Sequence, residues 1–246
     1  MTLDPQHSPT AARFPPTSWT LVCAARGEGV EARGALGDLC QTYWAPVYAF
    51  IRRKGYAPAD AEDFTQGFFA DLLNRNSLNQ VAAEHGRLRT FLLKAVTRHM
   101  INRHEMATAV KRGGGVPLLT LDIEPIEGQL HWEPSHQITP DLEFARQWAL
   151  GLLARAFARV EARESDRGQL ALFQELKGMI SLDTATAPYA AIAARHGLSE
   201  GAVKVAAHRL RQGFRAALRS IIAETVTSEE EIDDEIQNLF EIFKSP

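Results

Sequence analysis

The sequence has little cysteine and no long apolar run. Only two cysteines, Cys23 and Cys40, occur in 246 residues, and they form neither a CxxC pair nor part of a histidine cluster with metal-ligand spacing. No stretch approaches the roughly 20 apolar residues of a membrane-spanning helix, and the N-terminus has no apolar core behind a positive flank. We therefore expect a reduced, cytoplasmic protein without a membrane segment or a metal site.

The motifs of common enzymes are also missing. Neither GxSxG nor HExxH occurs, and the glycine run at 113–115 lacks the trailing Lys and Ser/Thr of a phosphate-binding loop. Glu62 and Asp63 are adjacent, so on a helix they point in different directions and do not form an acid and base pair. We predict no catalytic residue and no cofactor.

The formal net charge of -3 hides an uneven distribution. Residues 87–112 and 189–215 are rich in Lys and Arg, whereas the chain from Glu224 onward is strongly acidic. An even spread of charge would argue against a nucleic-acid partner, but two basic zones favour one.

Apolar spacing of three and four residues predicts an all-α protein of two small helical bundles joined by a linker. The expected divisions are a loose arm at 1–18, a first bundle at 19–112, a linker at 113–140, a second bundle at 141–223 and an acidic amphipathic helix at 224–246.

Individual helices also have predicted limits. We expect helices at 35–50, disturbed by Pro46, and at 87–106, and Asp60 stands in front of a helix with an acidic face. Asp141 is the expected cap of the first helix of the second bundle, and Ser228 with Glu231 matches a capping box.

Residues 189–215, YAAIAARHGLSEGAVKVAAHRLRQGFR, predict a helix-turn-helix. Gly197 tolerates a left-handed turn, and Ser199 can cap the second helix. In such motifs the N-terminal residues of the second helix lie nearest the base edges, and basic residues further along reach phosphates. The residues expected near bases are Ser199, Glu200 and Lys204, and those expected near phosphates are Arg209, Arg211 and Arg215. An ordinary helical hairpin with a solvated basic face is the alternative.

Two further stretches of the chain are YWAPVYAFIRRKGYAPADAEDFTQGFFADLL and GRLRTFLLKAVTRHMINRHE. Together with the helix-turn-helix stretch, they resemble the extracytoplasmic-function group of bacterial RNA polymerase sigma factors, over most of residues 19–223. The resemblance implies a second sigma domain that docks on the polymerase beta-prime clamp helices and opens the minus-ten element. It also implies a fourth sigma domain that meets the beta flap and reads the minus-35 element, and it leaves room for an anti-sigma protein as a further partner.

The resemblance assigns roles by position. The DAEDFTQ motif supplies the polymerase contacts Asp60, Glu62, Asp63 and Gln66. The basic helix supplies minus-ten contacts, namely Lys94, Arg98, His99, Asn102 and Arg103. SEGAVKVAAHRLR aligns with the usual SxGTVKSRLHRAR and supplies Ser199, Lys204, His208, Arg209 and Arg211.

The chain departs from the family pattern at four positions within the three stretches. Gly67 stands where Glu is usual, Arg98 where Asn is common, and Ala202 and Ala206 replace Thr and Arg. The base preferences of the family therefore do not transfer to this chain.

Other functions remain open at this point. A stand-alone helix-turn-helix regulator would bind operators as a dimer, but it gives the acidic DAEDFTQ face no role. A protein that sequesters sigma or polymerase without DNA is disfavoured by the basic helices. The C-terminal helix either covers a basic DNA-binding surface, restrains the two bundles, or completes the core of the second bundle.

Overall fold

The computed structural model describes residues 30–74, 87–109, 138–180, 188–226 and 228–244. Every regular element in these ranges is helical, which confirms the all-α prediction for them. The arm at 1–18 and most of the 113–140 linker lie outside the described residues. The helices are α1 (Val30–Arg53), α2 (Pro58–Asn74), α3 (Leu88–Ala109), α4 (Pro140–Asp166), α5 (Leu170–Leu176), a 3-10 turn (Lys177–Met179), α6 (Tyr189–His196), α7 (Glu200–Ala223) and α8 (Glu230–Lys244).

Helix α1 is the centre of the fold. The five residues from Val47 to Ile51 have no solvent exposure, so this part of the helix is buried on every side. A helix that is apolar all round is expected to lie inside a core, and α1 packs between α2 and α4. Pro46 lies within α1 without ending it, and the helix extends beyond the predicted 35–50 at both ends.

Two predicted helix starts were wrong by two or three residues. Helix α2 begins at Pro58 and takes Asp60 into its first turn, because proline suits the first helical position, where its missing N–H costs nothing. Helix α4 is capped by Thr139, whose hydroxyl accepts a hydrogen bond from the Leu142 backbone N–H at 3.3 Å, and not by Asp141. Pro140 at the first helical position again explains the earlier start.

Helices on the two sides of the 113–140 stretch pack against each other. Helix α1 has its most extensive contact with α4, and α3 also touches α4. At one edge of this seam, Arg53 Nη2 lies 3.1 Å from Glu143 Oε2, and both side chains are more than nine-tenths buried. Gln147 Nε2 donates a further hydrogen bond to Glu143 Oε1 at 2.9 Å. The apolar seam therefore includes a buried ion pair.

Helix α7 packs along α4, and a side chain of α4 covers Gly213. The guanidinium of Arg163 on α4 lies where a Cβ at position 213 would stand. Phe157 and Phe214 pack beside this point, with ring centroids 4.5 Å apart. A side chain at position 213 would therefore displace the end of the Arg163 side chain.

Helix α8 packs on both α4 and α7. Its apolar stripe buries Ile232, Leu239 and Ile242, as expected for an amphipathic helix that completes a core. The Glu231 carboxylate accepts a hydrogen bond from the Ser228 N–H at 3.3 Å, which is one half of the predicted capping box. None of the described helices combines the length and the apolar character that crossing a membrane requires.

Candidate nucleic-acid interface and docking face

The helix-turn-helix forms as its local sequence dictates. Gly197 ends α6 with φ +63°, in the left-handed region that favours glycine, and the Leu198 N–H donates to the Ala193 carbonyl at 2.9 Å. The Ser199 hydroxyl then accepts from the Ala202 N–H at 3.2 Å and begins α7. Buried Ile192, Ala193 and Val203 join the two helices. The predicted turn and cap are both confirmed.

Helix α6 is also fixed from outside the motif. Glu175 at the end of α5 accepts hydrogen bonds from the Arg195 guanidinium, and its Oε1 lies 3.0 Å from His196 Nε2. The hydrogen bond from Arg195 holds the pKa of Glu175 below its ordinary value. The first helix of the motif is thereby attached to α5.

The outer face of α7 carries most of the side chains predicted to meet DNA. Ser199, Glu200, Lys204, His208 and Arg209 are all exposed. Lys204 Nζ lies 2.7 Å from Glu200 Oε1, and this hydrogen bond raises the pKa of Lys204. Surface pairs of this kind are weak, so a phosphate can compete for Lys204.

Arg211 differs from the other predicted α7 contacts because it is engaged within the fold. Its Nη2 donates to the Met179 carbonyl at 3.2 Å and to the Tyr189 hydroxyl at 3.1 Å. Val205, which the sequence analysis did not select, is instead half exposed on the outer face. An exposed apolar residue here suits contact with a thymine methyl group, and the signal was its place four residues before Arg209, on the same side of the helix.

Helix α2 presents polar residues opposite a buried stripe. Ala61, Phe68 and Phe69 face the core, while Asp60 and Asp63 are exposed. Glu62 and Gln66 are partly exposed. All four predicted polymerase contacts therefore lie on one helix, at its solvent side, as an acidic-faced docking helix requires.

The predicted minus-ten residues of α3 divide into two groups. Lys94 and Arg98 are exposed, and Asn102 is partly exposed. His99 is only 8% exposed, and its Nδ1 lies 3.0 Å from Asp71 Oδ2 on α2. His99 therefore helps to join α3 to α2.

Arg103 also turns toward α2. Its guanidinium carbon lies 4.9 Å from the Phe64 ring centroid, and its Nη1 is 2.7 Å from the position that a Cβ at Gly67 would occupy. Because Gly67 has no side chain, the Arg103 side chain can lie across α2 next to the predicted docking residues. Ile101, which the sequence analysis did not select, is 53% exposed on the same helix as Lys94 and Arg98. Exposed apolar side chains beside basic ones can wedge between DNA bases.

Comparison with known proteins identified no relative of this chain. No protein-family model, curated protein or solved structure matches this chain. Among the described residues, no group of three or more His, Cys, Asp or Glu side chains is arranged to hold a metal ion.

Proposed function

We propose that the protein is a sigma factor of the extracytoplasmic-function type, which binds core RNA polymerase and directs it to promoters. The carrying observation is the helix-turn-helix, with its Gly197 turn, its Ser199 cap and an exposed basic face on α7. The two-bundle sigma architecture and the location in the cytoplasm belong to this proposal.

The proposed division of labour follows the charges on each helix. The acidic side of α2, with Asp60 and Asp63, docks on basic groups of the beta-prime clamp helices. Lys94 and Arg98 on α3 bind the minus-ten strand, and α7 enters the major groove of the minus-35 element. Because base unpairing costs a few kcal/mol and the chain has no predicted energy-yielding reaction, binding energy must open the DNA. Tethering both DNA contacts to one polymerase raises the effective concentration of the second.

Reconstituted transcription tests the proposal. Core RNA polymerase from the source bacterium is given a genomic promoter pool with or without the protein, and RNA starts are sequenced. We expect starts at a shared pair of motifs only with the protein present. The double variant Asp63→Arg with Gln66→Ala should abolish them, whereas Asp166→Arg, a matched charge change at an exposed acid on α4, should not.

A second variant separates DNA binding from docking. Lys204→Ala with Arg209→Ala should leave binding to core polymerase intact and remove selection of the upstream motif. If core gains no starts while the protein alone shifts duplex DNA, the sigma proposal is wrong. In that case the protein is better explained as an operator-binding regulator, in which the two packed halves act as one body.

A further inference from the structure

Arginine recurs at every fourth position in the second half of α4, with the last copy at the C-cap of the helix. Side chains four residues apart are neighbours on a helix surface, so these four form a ridge about 18 Å long. Each of the four side chains is between 39% and 58% exposed. This ridge, the arginine ladder, consists of Arg155, Arg159, Arg163 and Arg167.

Buried carboxylates hold the arginine ladder in pairs. Glu224, just after α7, has its carboxylate oxygens 3.1 Å from Arg155 Nη2 and 3.3 Å from Arg159 Nη2. Arg159 Nη1 also donates to the Ser220 hydroxyl on α7 at 3.2 Å. Glu164 is shared in the same way by the other two arginines, whose nearest nitrogens are 2.9 Å and 3.2 Å from its Oε1. Both carboxylates are buried, so they fix the arginines from below.

The arginine ladder keeps positive charge and hydrogen-bond donors for another ligand. Two guanidinium groups bring about ten N–H donors to a carboxylate that accepts about four hydrogen bonds. Four cations over two anions leave two positive charges in excess. Because the carboxylates already orient the guanidinium groups, an anion that binds them orders few side chains. The ladder therefore suits a ligand with several anionic groups in a row.

The arginine ladder follows α7 toward the helix-turn-helix. The Arg163 guanidinium lies over Gly213 of α7. At the end of the ladder, Arg167 lines one groove together with Arg209 and with Gly201 in the first turn of α7. Arg209 is itself a predicted phosphate contact. This shared groove favours the backbone of DNA over an acidic protein as the ligand of the ladder.

We propose that the arginine ladder binds phosphates of the duplex whose major groove receives α7. The inference rests on the proposed function, because it requires α7 to bind DNA, and it adds a helix outside the helix-turn-helix to the interface. Phosphate contacts fix the position and orientation of a reading helix without reading sequence themselves. The ladder should therefore strengthen binding to every duplex alike.

The salt dependence of duplex binding tests the arginine ladder in the full-length chain, without polymerase. Arg159→Gln with Arg167→Gln removes two charges and leaves one arginine on each buried carboxylate, so the fold should be retained. Each phosphate contact contributes about 0.9 to the slope of log affinity against log salt concentration. The double variant should bind a mixed-sequence duplex several-fold more weakly at about 50 mM salt and lose about 1.8 from this slope.

Three other variants guard the result. Arg159→Lys with Arg167→Lys keeps both charges and should keep the slope. Arg146→Gln removes a partly exposed arginine about 20 Å from Arg159 along α4, on another side of the helix, and should change neither affinity nor slope. Arg167→Gln alone leaves both arginines on Glu224 and should lose about 0.9 from the slope, which decides the question if the double variant does not fold.

The outcomes that overturn the phosphate proposal are distinct. They are an absence of duplex binding by the wild type, an unchanged slope in the glutamine variants, and an equal fall of the slope in the lysine variant. A poly-glutamate peptide is the second probe. If the double variant loses binding to this peptide but not to the duplex, the ladder belongs to an acidic protein partner and the phosphate proposal is wrong.

The transcription assay separates this inference from the proposed sigma function. A lower slope in the glutamine variants without promoter starts from the wild type would support the ladder and refute the sigma proposal. Promoter starts together with an unchanged slope would do the reverse.

Discussion

Replacing Arg53 tests the buried ion pair between α1 and α4. The Arg53 and Glu143 side chains are 9% and 4% exposed, and their charged atoms are 3.1 Å apart. Arg53→Met keeps most of the apolar stem but leaves the Glu143 carboxylate buried without its cation. Removing one partner of a buried pair costs 3–5 kcal/mol, and Gln147 still donates to Glu143, so we expect the lower end, about 3 kcal/mol.

The double variant makes this prediction specific. Replacing both charges, with Arg53→Met and Glu143→Leu, removes the unpaired charge, and such replacements are often neutral or stabilising. The buried Gln147 amide then loses its acceptor, so we expect a residual loss of about 1 kcal/mol. The double variant should therefore be more stable than the single variant by about 2 kcal/mol.

Urea unfolding at 25 °C measures these differences, followed by far-ultraviolet circular dichroism and by the fluorescence of buried Trp44 and Trp148. Agreement of the two signals checks that unfolding is two-state. Lys244→Met, which breaks an exposed pair with Glu241, is the control and should leave the midpoint unchanged. A double variant as unstable as the single one, or a single variant indistinguishable from the control, would refute the buried-pair reasoning.

Three other predictions follow from single contacts. Ser199→Ala removes the α7 cap and should lower stability by about 1 kcal/mol in urea unfolding, while Ser199→Asp should retain it. Gly67→Ala should stabilise the protein by about 1 kcal/mol more in an Arg103→Ala background than in wild type, because the new Cβ meets Arg103. Cys40 should react with a thiol reagent at pH 8 only after unfolding. Its folded pKa, about 11, exceeds the unfolded value of 9.0, so its contribution to stability should be lost as pH rises from 9 to 11.

Local features of the fold were predictable from the sequence. The Gly197 turn and the Ser199 cap depend on residues within a few positions of each other, and the structure contains both. The long apolar helix α1 was also recognisable. The burial of α1 on every side could not be predicted, because a periodic apolar pattern does not reveal how many neighbours a helix has.

Contacts between distant parts of the chain were not predictable. The Arg53 and Glu143 pair spans 90 residues, and the Arg89 and Glu235 pair spans 146. Nothing in a charge pattern indicates which distant acid an arginine meets. The inward direction of Arg103 likewise depends on the space above Gly67 in another helix.

Two glycines lie beneath arginine side chains, and this arrangement influences which substitutions the chain accepts during evolution. Arg103 occupies the space above Gly67, and Arg163 occupies the space above Gly213. A larger residue at either glycine displaces the end of a flexible arginine side chain, so the arginine must move or shorten. In related sequences, we therefore expect side chains at 67 to be more frequent where position 103 is not arginine, and side chains at 213 to be more frequent where position 163 is not arginine.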